Sequence, residues 1–409
     1  MKKIVVNGGK KLEGDVVISG SKNAALPIIF ACILTNGVSE IENLPDIGDV
    51  RVALDMLGSL GASVERRGSV TLIDTRQLRY VRPDPKLVSK IRASTYLLGS
   101  CLSRFGRCHI MPFGGCNFSL RPIDMHINAC VALGGRKVDD TIIADRLSGG
   151  VIDFRQTSVG ATVNAILLSA GAEGETLIRG CAVEPHIDSL IEFLRSCGAD
   201  IVRQGRELRV QGRPLHGGRI RVIGDMIEAG SYLAVGALCG GSIRIVNTPT
   251  DDIAEINRCF EKIGARVRIS NDSAFIDRIT DYKYLSVTAS PYPGFPTDLQ
   301  PILAPLMAAG LGGMITDDVW PTRFGYLESL EPFKIKYDLD KNTARIYPSK
   351  IVSGISSATD LRGGMACLIS ALFAEGESEI YSAEVILRGY ENLQEKLCNI
   401  GAEIKIIDY

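Results

Sequence analysis

Residues 21–34 read SKNAALPIIFACIL, three polar residues followed by apolar residues on every side of a predicted helix. A helix that is apolar all round is typical of a segment buried on all sides. The run is too short to cross a bilayer, which requires about 18 or more apolar residues. Residues 161–172 and 361–374 have the same character, so several such helices are predicted to share a common core.

The start of this helix is repeated along the chain. Polar or charged residues begin a small-residue helix at intervals of 70, 66, 70, 70 and 62 residues. The markers of the six copies are Lys22, Arg92, Ser158, Glu228, Asp298 and Asp360. A repeat of this size is typical of a copied module. Six copies divide into two groups of three, and 409 residues are enough for two domains.

A second phrase recurs where an amphipathic helix ends and a strand begins. Its glycines are Gly61, Gly134, Gly198, Gly264 and Gly401. Glycine ends a helix because it adopts the left-handed conformation without a Cβ clash. The copy near residues 330–332 lacks this glycine. Helices such as 49–60 and 188–196 have polar positions at helical spacing, so each unit is predicted to be a βαβ-type module with one buried and one water-facing helix.

The composition excludes several classes of function. A formal net charge of −1 gives no basic surface for nucleic acid or an anionic membrane. Only a brief apolar stretch follows Met1, and it lacks the long apolar region of a signal peptide. Eleven cysteines and four histidines are scattered without zinc-ligand spacing, and the cysteines are expected to be reduced thiols. We therefore expect a cytoplasmic protein with no structural metal and with neither nucleic acid nor membrane as a partner.

Cations at three of the helix starts indicate the kind of ligand. A helix N-terminus offers free N–H groups and the positive end of the helix dipole, so it favours anions. Lys22, Arg92 and Arg362 each add a positive side chain near such a position. Together they predict an anionic substrate with phosphate or carboxylate groups. The alternative is that these side chains form surface ion pairs.

A cysteine-containing loop follows the second marker. Residues 114–115 are both glycine and predict a flexible loop before Cys116. Arg121 supplies a positive neighbour that favours the thiolate, and the next helix carries Asp124 and His126. A typical cysteine is an inert buried thiol, but this setting predicts a reactive one.

The chain resembles a known family, the enolpyruvyl transferases, over nearly its whole length. The motifs that carry the resemblance are GSKNAALP at 20–27, RAS at 92–94, GGC at 114–116 with RP at 121–122 and Asp124, SVGAT at 158–162, EP at 184–185, FPTD at 295–298, RF at 323–324, DLR at 360–362 and RGY at 388–390. The cysteine loop is absent from the shikimate-pathway branch. Its presence makes the chain similar to the branch whose acceptor is UDP-N-acetylglucosamine.

The resemblance implies an α/β fold, an inside-out α/β barrel in which two similar domains each contain three βαβ-type units. It implies one domain at residues 21–224, which carries the cysteine loop, a second at 1–20 plus 225–409, and an active site in the cleft between them. The implied reaction transfers enolpyruvyl from phosphoenolpyruvate to the 3-hydroxyl of UDP-N-acetylglucosamine and releases phosphate. It proceeds by addition and elimination without a metal or organic cofactor. It is the first committed step of peptidoglycan synthesis, and so serves cell-wall growth, cell shape and cell division.

The resemblance also implies a set of positive side chains around phosphoenolpyruvate. The residues that clamp its phosphate are Lys22, Arg121 and Arg388. The residues that add positive field around the phosphate and the carboxylate are Arg92, Arg323 and Arg362. Fixed charge of this kind usually contributes more to the rate than any other single effect.

Further residues are implied for the chemistry and for the acceptor. Asp298 is the base beside the acceptor hydroxyl. Cys116 protonates the methylene carbon or forms a covalent adduct with phosphoenolpyruvate. Asp360 lies beside the reacting groups. The residues that hold the sugar nucleotide are Asn23, Ser158, Val159, Gly160 and Val319.

Three positions depart from the family pattern around the acceptor. Gly48 and Gln156 stand where lysine is usual, and Met226 stands where arginine is usual. In the cysteine loop, Phe113 replaces a proline and Ser119 replaces a glycine. Each lost charge-assisted contact would weaken binding by about 1.5 to 3 kcal/mol if nothing replaced it. Two alternatives therefore stand beside the implied activity: an enolpyruvyl transferase with a different nucleotide acceptor, and a catalytically silent homologue that binds a sugar nucleotide.

Overall fold

The computed structural model describes residues 1–115 and 122–409, which form two compact units. The terminal unit contains both chain ends and comprises residues 1–19 and 224–409. The inserted unit comprises residues 20–115 and 122–223. The predictions for Cys116, Ser119 and Arg121 lie outside the described residues.

Strands and helices alternate along both units. In chain order the strands are β1 (Lys2–Gly8), β2 (Leu12–Val17), β3 (Thr35–Asn36), β4 (Val38–Glu42), β5 (Ser63–Arg67), β6 (Val70–Asp74), β7 (Arg107–His109), β8 (Arg136–Val138), β9 (Thr141–Ile143), β10 (Val151–Asp153), β11 (Glu175–Arg179), β12 (Asp200–Gln204), β13 (Glu207–Gln211), β14 (Leu215–His216), β15 (Arg219–Arg221), β16 (Gly240–Val246), β17 (Val267–Ser270), β18 (Ser273–Asp277), β19 (Leu285–Ala289), β20 (Gly313–Asp317), β21 (Lys336–Asp340), β22 (Thr343–Tyr347), β23 (Ile355–Ser357), β24 (Gly376–Tyr381) and β25 (Glu403–Asp408). The α-helices are α1 (Lys22–Ala31), α2 (Gly48–Ser59), α3 (Pro85–Val88), α4 (Leu97–Phe105), α5 (Asp124–Ala132), α6 (Val159–Ala170), α7 (Pro185–Ser196), α8 (Met226–Cys239), α9 (Ala254–Ile263), α10 (Gln300–Ala309), α11 (Leu361–Phe373), α12 (Glu384–Leu387) and α13 (Leu393–Asn399). Short 3-10 helices occupy Cys32–Leu34, Arg92–Tyr96, Thr297–Leu299 and Gly325–Phe333.

The terminal unit contains sheets with the strand orders β23-β24-β1-β25, β17-β18-β16-β2 and β19-β20-β22-β21. The inserted unit contains β10-β11-β13-β12, β15-β4-β6-β5, the three-stranded β7-β9-β8 and the two-stranded β14-β3. In each four-stranded sheet one neighbouring pair is parallel and the other two are antiparallel. The predicted α/β class is confirmed, while the sixfold repeat stays a prediction.

The apolar helices form the core of each unit, as predicted. Every residue from 161 to 170 in α6 is buried in the inserted unit. In the terminal unit the same holds for residues 227–239 of α8 and 361–372 of α11. These helices are apolar on every side because they have neighbours on every side, and removing that surface from water stabilises each unit.

The second helices of the modules are amphipathic, but not to the same degree. Helices α2 and α9 expose polar faces, as predicted. Helix α7 is more buried than predicted, with only Glu192, Arg195 and Ser196 fully exposed. The reason is that α7 packs against both α1 and α6.

The repeated glycines end their helices in the predicted left-handed conformation. Their φ angles lie between 98° and 110°. In the copy that lacks the glycine, the left-handed residue is Lys334, with φ 63°, directly after the 3-10 helix Gly325–Phe333. A side chain in this conformation costs about 1–2 kcal/mol. The left-handed turn that ends the helix is therefore kept at Lys334, although the glycine is not.

The cysteines that the structure describes are unpaired thiols, and all of them except Cys398 are buried. This agrees with the expectation of reduced thiols. Across residues 1–115 and 122–409, every helix is too short or too polar to span a membrane.

Candidate active site

Asp298 lies between two buried arginines in the terminal unit, and Asp298, Arg323 and Arg362 are called the arginine cluster below. Arg323 Nη1 donates to Asp298 Oδ1 at 2.6 Å, and Arg362 Nε donates to Asp298 Oδ2 at 3.3 Å. The two arginine side chains are 6% and 3% exposed, whereas that of Asp298 is 28% exposed. Positive charges this close favour the ionised form of a carboxylate, the form that a general base requires.

Arg362 has hydrogen-bonding capacity that the arginine cluster does not use. Its Nη1 and Nη2 atoms are buried and have no hydrogen-bond acceptor among the described residues. The guanidinium carbon lies over the Tyr390 ring, 5.4 Å from its centroid, and the Tyr390 hydroxyl is hydrogen-bonded to Ser231 at 2.7 Å. An unsatisfied buried donor costs about 1–3 kcal/mol, and more when charged. Arg362 is therefore suited to a phosphate or carboxylate oxygen.

Asp360 is the N-cap of α11. Its Oδ1 atom accepts hydrogen bonds from the backbone N–H groups of Arg362 and Gly363, both at 3.0 Å. The residue is 8% exposed. These bonds hold the helix turn that carries Arg362, so the structure gives Asp360 a capping role. Its predicted position beside the reacting groups stays a prediction.

A buried carboxylate that the sequence interpretation missed lies next to Asp298 in the network. Asp317 Oδ2 accepts a hydrogen bond from Thr297 Oγ1 at 2.6 Å. Asp317 Oδ1 accepts from the N–H groups of Val319 and Trp320, at 2.9 and 2.7 Å. Burial raises the pKa of Asp317, and these hydrogen bonds oppose the rise. The one signal in the sequence was an acidic residue at the end of an apolar strand.

Glu228, the fourth marker, pairs with a lysine that no sequence pattern indicated. Its Oε1 atom accepts from Lys396 Nζ at 2.7 Å, and its Oε2 atom accepts from the Ser19 N–H at 2.8 Å. Lys396 Nζ also donates to Ser19 Oγ at 2.6 Å. Burial raises the pKa of Glu228 to about 7, while Lys396 lowers it. The three residues therefore form a buried polar network at the start of α8.

Arg388, predicted for the phosphate clamp, follows directly after α12 and is half-buried. The next residue is Gly389, where a Cβ atom would lie 2.5 Å from Leu361 Cδ1. A larger residue at 389 would push against the start of α11, so Gly389 allows the chain carrying Arg388 to approach that helix closely. The clamp itself stays a prediction.

Lys22 and Asn23 begin α1 in the inserted unit and are half-buried. Lys22 Nζ lies 3.4 Å from Asp49 Oδ2, with the two side chains 15% and 7% exposed. Asp49 is in the first turn of α2, beside Gly48. The ion pair is mostly buried, so Lys22 does not fit the alternative of a surface ion pair. It holds a positive charge at a helix N-terminus, where anions bind.

A neutral polar group lies at the start of α6, and its members His126, Gly160 and Asn164 are called the histidine cluster below. Asn164 Nδ2 donates to His126 Nδ1 at 2.7 Å, and Asn164 Oδ1 accepts from the Gly99 N–H at 2.6 Å. A Cβ atom on Gly160 would lie 3.0 Å from His126 Cε1, so a larger residue would crowd the imidazole. Burial and the charge of Arg92 lower the pKa of His126 to about 4. The imidazole is therefore neutral at neutral pH.

The remaining predicted residues of the inserted unit lie beside this cluster. Ser158 caps α6, where its Oγ atom accepts from the Ala161 N–H at 3.3 Å, and Val159 follows it, half-buried. Arg92 begins a 3-10 helix, and its Nη2 atom donates to the Pro122 carbonyl at 3.5 Å. The 3-10 helix that carries Arg92 also packs against α6.

Gly114, two residues before Cys116, has a packing role that the sequence did not reveal. A Cβ atom on Gly114 would lie 2.1 Å from the Ser89 carbonyl oxygen, so this glycine is required for close packing of two chain segments. Its N–H donates to the Val88 carbonyl at 3.1 Å. The predicted flexible loop at Cys116 lies outside the described residues and stays a prediction. Phe113 packs against the core of the inserted unit.

The three departures from the family cations lie in different surroundings. Gln156 is exposed in the segment before α6. Met226 is half-buried and packs against the core of the terminal unit. Gly48 is the first residue of α2 and is half-buried. Of the three, Gln156 is the exposed position, where a longer side chain can extend into water.

Two arginines buried around one carboxylate in an α/β fold are suited to an anionic substrate. In the parts of the chain that the structure describes, no group of three or more histidine, cysteine or acidic residues could hold a metal ion. The family model for EPSP synthase (3-phosphoshikimate 1-carboxyvinyltransferase) matches residues 6–397. The chain belongs to this family, and the resemblance to the enolpyruvyl transferases is confirmed.

Similar proteins narrow the comparison within the family. A UDP-N-acetylglucosamine 1-carboxyvinyltransferase of Prosthecochloris aestuarii is 37% identical over 420 residues, which cover 100% of this chain and 99% of that protein. A UDP-N-acetylglucosamine 1-carboxyvinyltransferase 2 of Clostridium acetobutylicum is 38% identical over 414 residues, with 99% of each covered.

Two solved structures share the fold over the whole chain. The enolpyruvyl transferase NikO of Streptomyces tendae has a TM-score of 0.90 at 26% identity, with 99% of each chain covered. An EPSP synthase of Acinetobacter baumannii has a TM-score of 0.74 at 18% identity with both chains fully covered, a likeness of fold alone.

Proposed function

We propose that this protein is a UDP-N-acetylglucosamine 1-carboxyvinyltransferase. It transfers enolpyruvyl from phosphoenolpyruvate to the 3-hydroxyl of UDP-N-acetylglucosamine and releases phosphate. The observation that carries this proposal is the arginine cluster, an ionised carboxylate held by two buried cations, in a chain about 37% identical over its full length to relatives with that activity.

The proposed chemistry has two steps. Asp298 accepts the proton of the 3-hydroxyl, whose oxygen attacks C2 of phosphoenolpyruvate while C3 receives a proton from Cys116. The resulting tetrahedral ketal then returns a C3 proton to the Cys116 thiolate and expels phosphate, which takes up the proton held by Asp298, and the double bond in the transferred group is restored. Protons and electrons balance without a metal or organic cofactor.

The proposed roles of the cations follow from charge. Arg362 supplies two buried donor atoms for an anionic oxygen of phosphoenolpyruvate, and Arg323 holds Asp298 in place. Lys22, Arg121 and Arg388 bind the phosphate, and Arg92 adds positive field. As phosphate leaves, these charges stabilise it more strongly than the bound ester, which lowers the barrier to elimination.

We propose the sugar nucleotide to be held by Asn23, Ser158, Val159, Gly160 and Val319. Ser158 and Val159 lie at the N-terminus of α6, which favours an anionic diphosphate. His126 is neutral and does not compete with that anion for the N–H groups. The activity belongs to the cytoplasm and to peptidoglycan synthesis.

The finer architecture is proposed from the pairing of the strands. The parallel pair and two antiparallel pairs shared by the four-stranded sheets support one βαβ-type module copied six times, as in an inside-out α/β barrel. The domains are proposed to be residues 21–224 and residues 1–20 plus 225–409.

A phosphate-release assay tests the function. Purified protein should release phosphate from phosphoenolpyruvate only when UDP-N-acetylglucosamine is present. A panel of UDP-sugars and nucleotides serves as the control. Release with a different nucleotide alone would change the acceptor, and no release with any of them would indicate a catalytically silent homologue.

The role of Cys116 has its own test. An epoxide phosphonate such as fosfomycin should alkylate this thiol, and Cys116→Ser should abolish labelling. The buried thiols, including Cys101 and Cys130, provide the internal comparison because burial excludes the reagent. Mass spectrometry that finds the label on another cysteine would assign the reactive thiol elsewhere.

A further inference from the structure

Asp317 ends β20 as a fully buried carboxylate whose two oxygens bind different parts of the site. Its side chain is 0% exposed. One oxygen accepts from Thr297, the neighbour of Asp298, and the other accepts from the Val319 and Trp320 N–H groups. A buried carboxylate is costly unless hydrogen bonds satisfy it, and these three bonds do so. Asp317 therefore fixes two segments at once.

The first segment leads to the proposed base. Thr297 Oγ1 donates a hydrogen bond to Asp317 Oδ2 at 2.6 Å, so the lone pairs of the Thr297 oxygen are available to accept from a donor. Arg323 Nη1 occupies one of them at 3.2 Å and also donates to Asp298. The Gln300 side chain holds Arg323 from the other side, since Nε2 donates to the Arg323 carbonyl at 2.6 Å. Asp317 thus determines the hydroxyl orientation that Arg323 uses.

The second segment contains a proposed acceptor-binding residue. Val319 and Trp320 form a turn whose N–H groups both point at Asp317 Oδ1. The turn continues to Arg323, whose N–H donates to the Trp320 carbonyl at 2.9 Å. The acceptor turn and the arginine cluster are therefore joined through one carboxylate.

We propose that Asp317 is a positioning residue that couples the sugar-nucleotide turn at Val319 to the base Asp298. This inference rests on the proposed function. Its oxygens have separate tasks: Oδ2 orients Thr297 and, through Arg323, the carboxylate of Asp298, while Oδ1 shapes the turn that receives the acceptor.

Asp317→Asn separates these tasks. An amide oxygen can still accept from Val319 and Trp320, but the amide nitrogen faces Thr297 Oγ1 as a second donor beside Arg323, and the hydroxyl proton loses its acceptor. We expect kcat to fall roughly 10- to 100-fold, because small displacements of a reacting group have effects of this size. The KM for UDP-N-acetylglucosamine should stay within about threefold of the wild-type value, because the turn keeps both hydrogen bonds.

Thr297→Val is the partner variant. It removes the hydroxyl without a large change in volume, so it should lower kcat about as much as Asp317→Asn. The double variant should be no slower than the slower single variant, because both changes remove one linkage. Asp318→Asn is the matched control, since this neighbouring carboxylate is exposed and contacts the Asn342 side chain.

Trp320 gives a readout that does not depend on turnover, because it is the one tryptophan in the sequence and lies in the turn itself. Asp317→Asn should keep the wild-type emission spectrum. Asp317→Ala should shift it and weaken UDP-N-acetylglucosamine binding roughly tenfold, the loss expected when the turn is no longer held.

Two results would overturn the inference: a kcat within twofold of wild type for Asp317→Asn, or losses that multiply in the double variant. An Asp317→Ala spectrum identical to wild type would remove the role in the turn. If the wild-type protein releases no phosphate with any nucleotide, the proposed function has failed, and the Trp320 spectra still test the turn.

Discussion

The arginine cluster and the histidine cluster begin at corresponding helix starts of the predicted repeat, yet one is built from charges and the other from neutral groups. In the arginine cluster, Arg323 and Arg362 are buried around the carboxylate of Asp298. In the histidine cluster, Asn164 is fully buried and satisfied by His126 and the Gly99 N–H. Similar helix starts can therefore be used for opposite electrostatic purposes.

The difference indicates which part of the substrate each cluster is suited to. Buried charges are costly in the absence of partners, so they are expected where charge develops during a reaction. Neutral groups with close packing, such as Gly160 against His126, fix shape at lower electrostatic cost. We accordingly propose that the first cluster carries the chemistry and that the second contributes to recognition of the nucleotide.

The largest effect should come from removing the charge at the centre of the arginine cluster. Asp298→Asn keeps one oxygen for Arg323 but loses the base, so kcat should fall roughly 10²- to 10⁴-fold. Acceptor binding, followed by Trp320 fluorescence, should stay within about threefold of wild type, because one hydrogen bond is kept.

Asp277→Asn is the control for this substitution, because Asp277 lies in the same unit and its half-exposed side chain pairs with Arg268. The phosphate-release assay should give wild-type turnover for the control. Turnover within tenfold of wild type for Asp298→Asn would rule out Asp298 as the base.

Protonation of His126 at low pH should destabilise the histidine cluster. Burial lowers the pKa of His126 to about 4, against about 6.5 in the unfolded chain. Below pH 6.5 the unfolded state therefore binds more protons than the folded state, and stability falls as the pH approaches 4. The loss from this one group should be on the order of 3 kcal/mol between about pH 7 and pH 4.

Denaturant unfolding of wild type and His126→Gln over this pH range measures the loss as a difference. Glu228 contributes with the opposite sign, because burial raises its pKa to about 7 and its folded form gains protons first as the pH falls. That contribution cancels because both proteins contain Glu228. The exposed His216 supplies the control variant His216→Gln. Equal pH dependence of wild type and His126→Gln would contradict a neutral, buried His126.

The helix caps of the two clusters should differ by a smaller amount. Asp360 accepts two backbone hydrogen bonds and Ser158 accepts one. Asp360→Ala should lower the free energy of unfolding by about 1–2 kcal/mol, and Ser158→Ala by about 1 kcal/mol or less. Asp360→Asn should keep most of the stability because asparagine is an equally good cap.

Chemical denaturation of the three variants tests this order. Asp360→Asn also separates capping from catalysis, since a stable variant that loses turnover would show that the charge itself acts on the substrate. Equal losses of stability for the two alanine variants would contradict the expected dependence on the number of hydrogen bonds.

Local features of the fold could be predicted from the sequence. Buried helices and helix-ending glycines depend on residue spacing and on the conformational freedom of glycine, both visible in a single segment. The left-handed turn at Lys334 was not predicted, because the signal for such a turn was a glycine and this copy has a lysine instead. The close packing of Gly114 could not be predicted, because the Ser89 carbonyl that excludes a side chain is supplied by another segment.

The candidate site could be predicted only where its residues lie in sequence motifs. Asp298, Arg323 and Arg362 are found in motifs, so the resemblance indicated them. Lys396 pairs with Glu228 across 168 residues of sequence, and Asp317 acts through Thr297 across 20. These supporting residues depend on which segments the fold brings together, and residue types alone do not reveal that.

The smallest expected effect comes from adding a positive charge to the segment before α6, which leads to the histidine cluster. Gln156 stands where the family usually has lysine, and it is exposed. An exposed cation contributes at most about 1 kcal/mol to binding an anion. Gln156→Lys should therefore lower the KM for UDP-N-acetylglucosamine roughly two- to fivefold, with kcat unchanged, and the gain should shrink at high salt.

Gln204→Lys makes the same charge change at an exposed glutamine on β12 and serves as the control. An equal decrease for both variants would mean that the charge acts through the net field of the protein, and no decrease for Gln156→Lys would place the acceptor away from this segment.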